Sequence, residues 1–98
     1  MSGKVYVGQT ALRINFDLDD DITNYSAVVI NVQHPTGTTA TWTATVSDAS
    51  TGAIYFSAFT STTLPVARKY LMQPQVTFTD GTTLKGETKQ LIVYDSFE

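Results

Sequence analysis

Apolar and polar residues alternate along most of this chain. Leu12, Ile14, Phe16 and Leu18 are separated by Arg13, Asn15 and Asp17, a period of two that turns the apolar set to one face of a strand. Val28, Ile30 and Val32 alternate with Val29, Asn31 and Gln33. The clearest case sets Trp42, Ala44 and Val46 against Thr41, Thr43 and Thr45. Ile54, Phe56 and Ala58 alternate with Tyr55, Ser57 and Phe59, and Tyr70, Met72, Val76 and Phe78 form a later inward set. Shorter segments at residues 4–7 and 87–94 open and close the series, with Leu91 and Val93 inward in the last. The helical period of 3.6 is almost absent.

Turn chemistry separates these runs. Gly8 closes the first, and Asp19-Asp20-Asp21 follows the second. Pro35-Thr36-Gly37 after His34 reads as a hairpin turn, since proline presets φ and glycine accepts positive φ. Asp48-Ala49-Ser50-Thr51-Gly52 and Asp80-Gly81 supply two more turns. The small polar stretch at residues 60–63, ended by Leu64-Pro65, is too long for a hairpin and reads as a crossing between sheets. Pro74 lacks the N–H of a central ladder, which places its strand on an edge or at a bulge. Short strands at this spacing predict an all-β, immunoglobulin-like antiparallel sandwich of seven to eight strands, with a small Greek-key barrel as the alternative. Its expected core is Phe16, Ile30, Trp42, Phe56, Tyr70 and Phe78.

Composition narrows the picture. The 98 residues fit one domain spanning 1–98. With no cysteine, packing and sheet hydrogen bonds must hold the fold, and thiolate chemistry is excluded. The formal charge is −3 and the six Lys and Arg are scattered, which argues against nucleic-acid binding. No apolar run reaches the ~18–20 residues of a membrane span. Met1-Ser2-Gly3-Lys4 leads into a β-like segment without the apolar stretch of a signal peptide. Threonine occupies 17 positions, and its β-branched side chain suits a wet but weakly charged sheet face.

Chemistry-bearing residues are few. His34 is the only histidine, and no spacing supplies it with triad or metal partners. Asp17, Asp19 and Asp21, with Asp20 among them, are the one carboxylate cluster. Oxygen donors suit Ca²⁺, which makes these three a weak candidate Ca²⁺ site, but the spacing is not that of a calcium loop, its glycine is missing, and Asp is also a good turn residue. Trp42 shares its face with Ala44 and Val46, which favours a core position over sugar stacking. Tyr55 and Phe59 fall opposite Ile54 and Phe56 and are interface candidates. Tyr70 matches a tyrosine corner, whose hydroxyl ties back to an upstream backbone group. Phosphate loops, paired-carboxylate sites and nucleophile elbows are lacking, so no enzyme, cofactor or resident metal is expected.

The order of the turns carries a resemblance. The acidic turn, Pro35-Thr36-Gly37, the Trp42 strand, the turn ending at Gly52, the Tyr70 strand, Asp80-Gly81 and Gly86-Glu87 come in sequence. In this the chain resembles the immunoglobulin-like N-terminal domain of tailed-phage baseplate upper proteins and related small phage tail structural proteins, over residues 4–94. Those domains often carry a glycine shortly before the late-strand tyrosine, where this chain has Arg68-Lys69. The resemblance implies a non-catalytic structural protein of a bacteriophage virion (baseplate, tail or neck), assembled in the bacterial cytoplasm. Its partners would be other virion proteins or itself, as a homo-oligomer, with neither nucleic acid nor membrane. The alternative is a bacterial immunoglobulin-like adhesion or carbohydrate-binding domain.

Overall fold

The computed structural model describes residues 4–95 and residue 97. Among them are nine strands: β1 (Val5–Tyr6), β2 (Ile14–Asp17), β3 (Tyr25–Gln33), β4 (Thr39–Thr43), β5 (Thr45–Asp48), β6 (Ala53–Phe56), β7 (Arg68–Phe78), β8 (Thr83–Lys85) and β9 (Lys89–Tyr94). The larger sheet runs β1-β9-β7-β3-β4 with β8 also against β7, and the smaller runs β2-β6-β5. All pairs are antiparallel except β1 with β9. The two sheets share no ladder, so this is the immunoglobulin-like sandwich and not the barrel. Its shortest dimension, 20 Å, is what two sheets about 10 Å apart need with a side-chain layer outside each.

The inward sets meet between the sheets. Ile14, Phe16, Ile54 and Phe56 come from the smaller sheet, and Val28, Ile30, Val32, Trp42, Tyr70, Met72, Val76 and Val93 from the larger. Trp42 stacks on Phe56 at 4.7 Å between centroids. Tyr70 is fully buried. Its hydroxyl donates to the Val66 carbonyl at 2.6 Å and accepts the Val66 N–H at 3.2 Å, the tyrosine corner the sequence predicts. Phe78 is only partly buried and packs on the core from its margin. It ends β7 where the β3 pairing slips register between Tyr25 and Ala27.

Four local expectations are corrected. The threonine-alternating run is not one strand: it breaks at Ala44, whose N–H donates to the Val28 carbonyl at 3.0 Å. β4 before it edges the larger sheet and β5 after it edges the smaller. Periodicity hides the break because both halves need inward apolar residues. Phe59 is not on an outer face. β6 ends at Phe56, and the chain then turns Phe59 inward, edge-on to Trp42 at 5.4 Å and Phe56 at 4.8 Å. β8 is a further strand after the Asp80-Gly81 turn.

Pro74 is the fourth. It lies in β7, the centre of the larger sheet, and its register with β3 runs unbroken from Leu71 to Val76. In a strand the N–H and C=O of one residue point the same way. The Pro74 carbonyl accepts the Gly86 N–H at 3.0 Å, so its missing N–H also faces away from β3 and no β3 bond is lost. On that far side β9 pairs only as far as Met72 and β8 begins at Gln75. Proline therefore sits at the hand-over between two short strands. Gly86 fits there because a Cβ would lie 2.8 Å from both the Pro74 ring and the Leu18 side chain. The expectation for residues 1–3 lies outside the described residues.

Candidate interaction surface

Alternation that buries one face of the larger sheet exposes the other. Its outer rows include Val29, Asn31 and Gln33 on β3, Thr39, Thr41 and Thr43 on β4, and Leu71, Gln73, Gln75 and Thr77 on β7, with Lys69 at the start of β7 and Lys85 of β8 at the margins of the same face. The register sets Asn31 between Thr41 and Gln73, and Gln33 between Thr39 and Leu71. Asn31 Nδ2 donates to Gln75 Oε1 at 3.0 Å and Gln73 Nε2 to the Gly86 carbonyl at 3.1 Å. Lys69 and Lys85 apart, none of these side chains is ionisable. A shallow depression of about 580 Å³ opens among Asn31, Gln33, Thr39, Thr41, Leu71 and Gln73. An apolar fringe borders these rows: Ile92 is 44% exposed, and Tyr94 and Tyr6 lie 6.2 Å apart with Lys4 Nζ 5.0 Å over Tyr94.

The smaller sheet differs. Tyr55 is half-buried beneath Arg13, whose guanidinium sits 3.8 Å from the ring centroid, so a charge covers this interface candidate. A second depression of about 540 Å³ includes Asp17, Glu87 and Lys89. Lys89 Nζ is already bonded to the Asn15 carbonyl at 2.8 Å and lies 5.4 Å over the Phe16 ring.

The acidic cluster is spent on its own turn. Asp17 Oδ1 accepts the Asp19 N–H and Asp20 Oδ1 the Asp21 N–H, both at 2.8 Å. Asp21 Oδ1 takes the N–H and the hydroxyl of Thr23. Asp48 with Ser50 and Asp80 with Thr82 repeat that last arrangement. In all three the hydroxyl, then the backbone N–H, holds the carboxyl below its ordinary range. Among the described residues no group of three or more His, Cys, Asp or Glu is placed to hold a metal ion. His34 packs against Tyr70 at 5.1 Å between centroids.

No family model and no curated protein matches this chain. The solved structure the chain is similar to, given below, is not a phage protein and no phage link is found, so the baseplate, tail and virion role that rested on the phage resemblance is withdrawn. Turn order, Trp42 and the tyrosine corner are requirements of a sandwich, so they indicate the fold and not a lineage. The adhesion or carbohydrate alternative also lacks support, since Trp42 is 7% exposed and has no face to offer a sugar. Among solved structures the chain is similar to the crystal structure of CopC from Methylosinus trichosporium OB3b, with a TM-score of 0.61, 14% identity, and 99% of this chain and 89% of that chain covered, a likeness of fold that agrees with the two-sheet architecture.

Proposed function

We propose that this chain is a non-catalytic interaction domain that works by contact with other protein chains through the outer side of its larger sheet. The amide, hydroxyl and aliphatic rows, free of charge between the flanking Lys69 and Lys85, carry the proposal, since the centres of protein interfaces are depleted of charged residues and their rims are polar. The exposed Ile92 and the Tyr6–Tyr94 pair add the apolar and aromatic area such contacts use. The depression that gathers Asp17, Ser47, Glu87 and Lys89 has its lysine already engaged by the Asn15 carbonyl.

Photo-crosslinking side chains placed one at a time at Gln73, Asn31 and Ser47 test this in the source cell. The expected result is a discrete adduct from Gln73 and Asn31, joined to one reproducible peptide of one protein and lost with Ile92→Asp. Ser47, on the smaller sheet, yields none. Equal adducts from both sheets, or none from Gln73 and Asn31, overturn the proposal.

A further inference from the structure

A β-sandwich has exposed strand edges, and each is a template for pairing with another chain unless something blocks it. Among the described residues nearly every edge is blocked. At β1 the outward Tyr6 N–H is taken by Gln9 Oε1 and the Tyr6 carbonyl by the Gln9 N–H, both at 3.1 Å. At β2 the Asn15 carbonyl is taken by Lys89, and that inward-pointing lysine also opens the stretch of β9 not covered by β1. β5 carries a register shift between Val46 and Asp48. β8 has only three residues and ends in Lys85. The start of β3, beyond the reach of β4, holds the shift between Tyr25 and Ala27.

β4 is the exception: five residues, Thr39–Thr43, with no charge, proline or bulge. Its hydrogen-bond parity follows from the two bonds that frame it. His34 donates to the Thr38 carbonyl at 2.8 Å and Ala44 to the Val28 carbonyl at 3.0 Å. Bonded and non-bonded pairs alternate along an antiparallel ladder, so Ala40 and Trp42 bond β3. Thr39, Thr41 and Thr43 turn their N–H and C=O groups outward, and among the described residues nothing occupies them.

We infer that this edge pairs antiparallel with the same edge of a second copy, with Thr41 on the twofold axis. The inference goes beyond the interaction-domain reading above: it uses the strand edge beside those rows and leaves their outer face free. Pairing about a twofold axis sets Thr39 against Thr43 of the second copy and Thr41 against Thr41, so every outward donor meets an acceptor. Such symmetry brings any charge on the strand toward its own like, which a neutral strand escapes. The opposed side chains are threonines, a favourable cross-strand pair. The union joins the two larger sheets into one continuous sheet whose outer face keeps the same uncharged rows.

Sedimentation and amide exchange on the intact chain at up to ~1 mM test this. The expected mass climbs from 10.7 kDa toward twice that value, and exchange at Thr39, Thr41 and Thr43 slows as concentration rises. Thr41→Val keeps the backbone groups and retains the dimer. Thr41→Pro deletes one outward N–H, spares those bonded to β3, and loses the dimer. Thr41→Lys and Thr41→Glu are each monomeric, and an equal mixture of them dimerises. Circular dichroism and Trp42 emission check that each variant is folded. A wild-type chain that stays monomeric at ~1 mM, or a dimer that survives Thr41→Pro with no slowing at these threonines, overturns the inference. A monomer that still gives the Gln73 adduct with another protein overturns this inference alone and leaves the interaction-domain reading standing.

Discussion

Tyr70 is completely buried, yet its polar atom has two partners, the carbonyl and the N–H of Val66. Tyr70→Phe keeps the ring and strands both Val66 groups, so it costs about 1–3 kcal/mol, measured as a lower urea midpoint. Burial pushes the hydroxyl pKa up, against a smaller opposing effect of the Val66 hydrogen bond. A folded value above the unfolded 10.0 means that the unfolded chain releases the proton first. Stability is thus whole below pH 10 and declines above it, and the gap between wild type and Tyr70→Phe narrows there. Arg68, two residues upstream, holds a φ of 107°, in the region only glycine enters without strain. Its contact with Asp95 is 3.8 Å long and exposed, and such pairs contribute little.

At the scale of elements, β7 organises the larger sheet. It pairs with β3 along one side and divides the other between β9 and β8. The division makes Pro74 harmless, and Gly86 lets the hand-over close against it. Gly86→Ala drives a methyl group into the rigid Pro74 ring and should cost about 1–3 kcal/mol. Pairing it with Pro74→Ala tests the cause. A double-mutant cycle should recover part of the loss, whereas strict additivity would place the clash elsewhere. The same element logic explains Phe59. A strand pattern continued past Phe56 sends it outward, but the chain leaves the sheet there and the ring completes the cluster with Trp42 and Phe56.

For the whole molecule, charge and shape act together. The chain carries −3, but the β4 edge and the rows beside it carry none. An edge-to-edge dimer built on backbone bonds should thus associate almost equally well at low and at ~1 M salt, tightening slightly as the weak mutual repulsion is screened. Equilibrium sedimentation across that range checks this. A weakening of more than about tenfold would mark a charged interface instead. The closed edges limit other associations: Gln9, Lys89 and Lys85 stand at three of the remaining borders.

The residues by themselves determined the class of fold, because period two and turn chemistry are local properties that need no knowledge of neighbours. They also determined the inward identity of Phe16, Ile30, Trp42, Phe56 and Tyr70, and the tyrosine corner, since a buried hydroxyl must find a backbone partner. Tertiary structure decided whatever depends on which strand lies beside which. It split the threonine run at Ala44 between two sheets, set Pro74 in a central strand without cost, and folded Phe59 inward. It also decided which strand edge stays open. That Thr39, Thr41 and Thr43 present backbone groups with no partner among the described residues follows from the β3 register, and that this edge stands out follows from Lys89 and Gln9 closing others. Alternation reports the face on which a side chain lies but not the side on which its backbone is bonded, and that second fact exists only once the strands are paired.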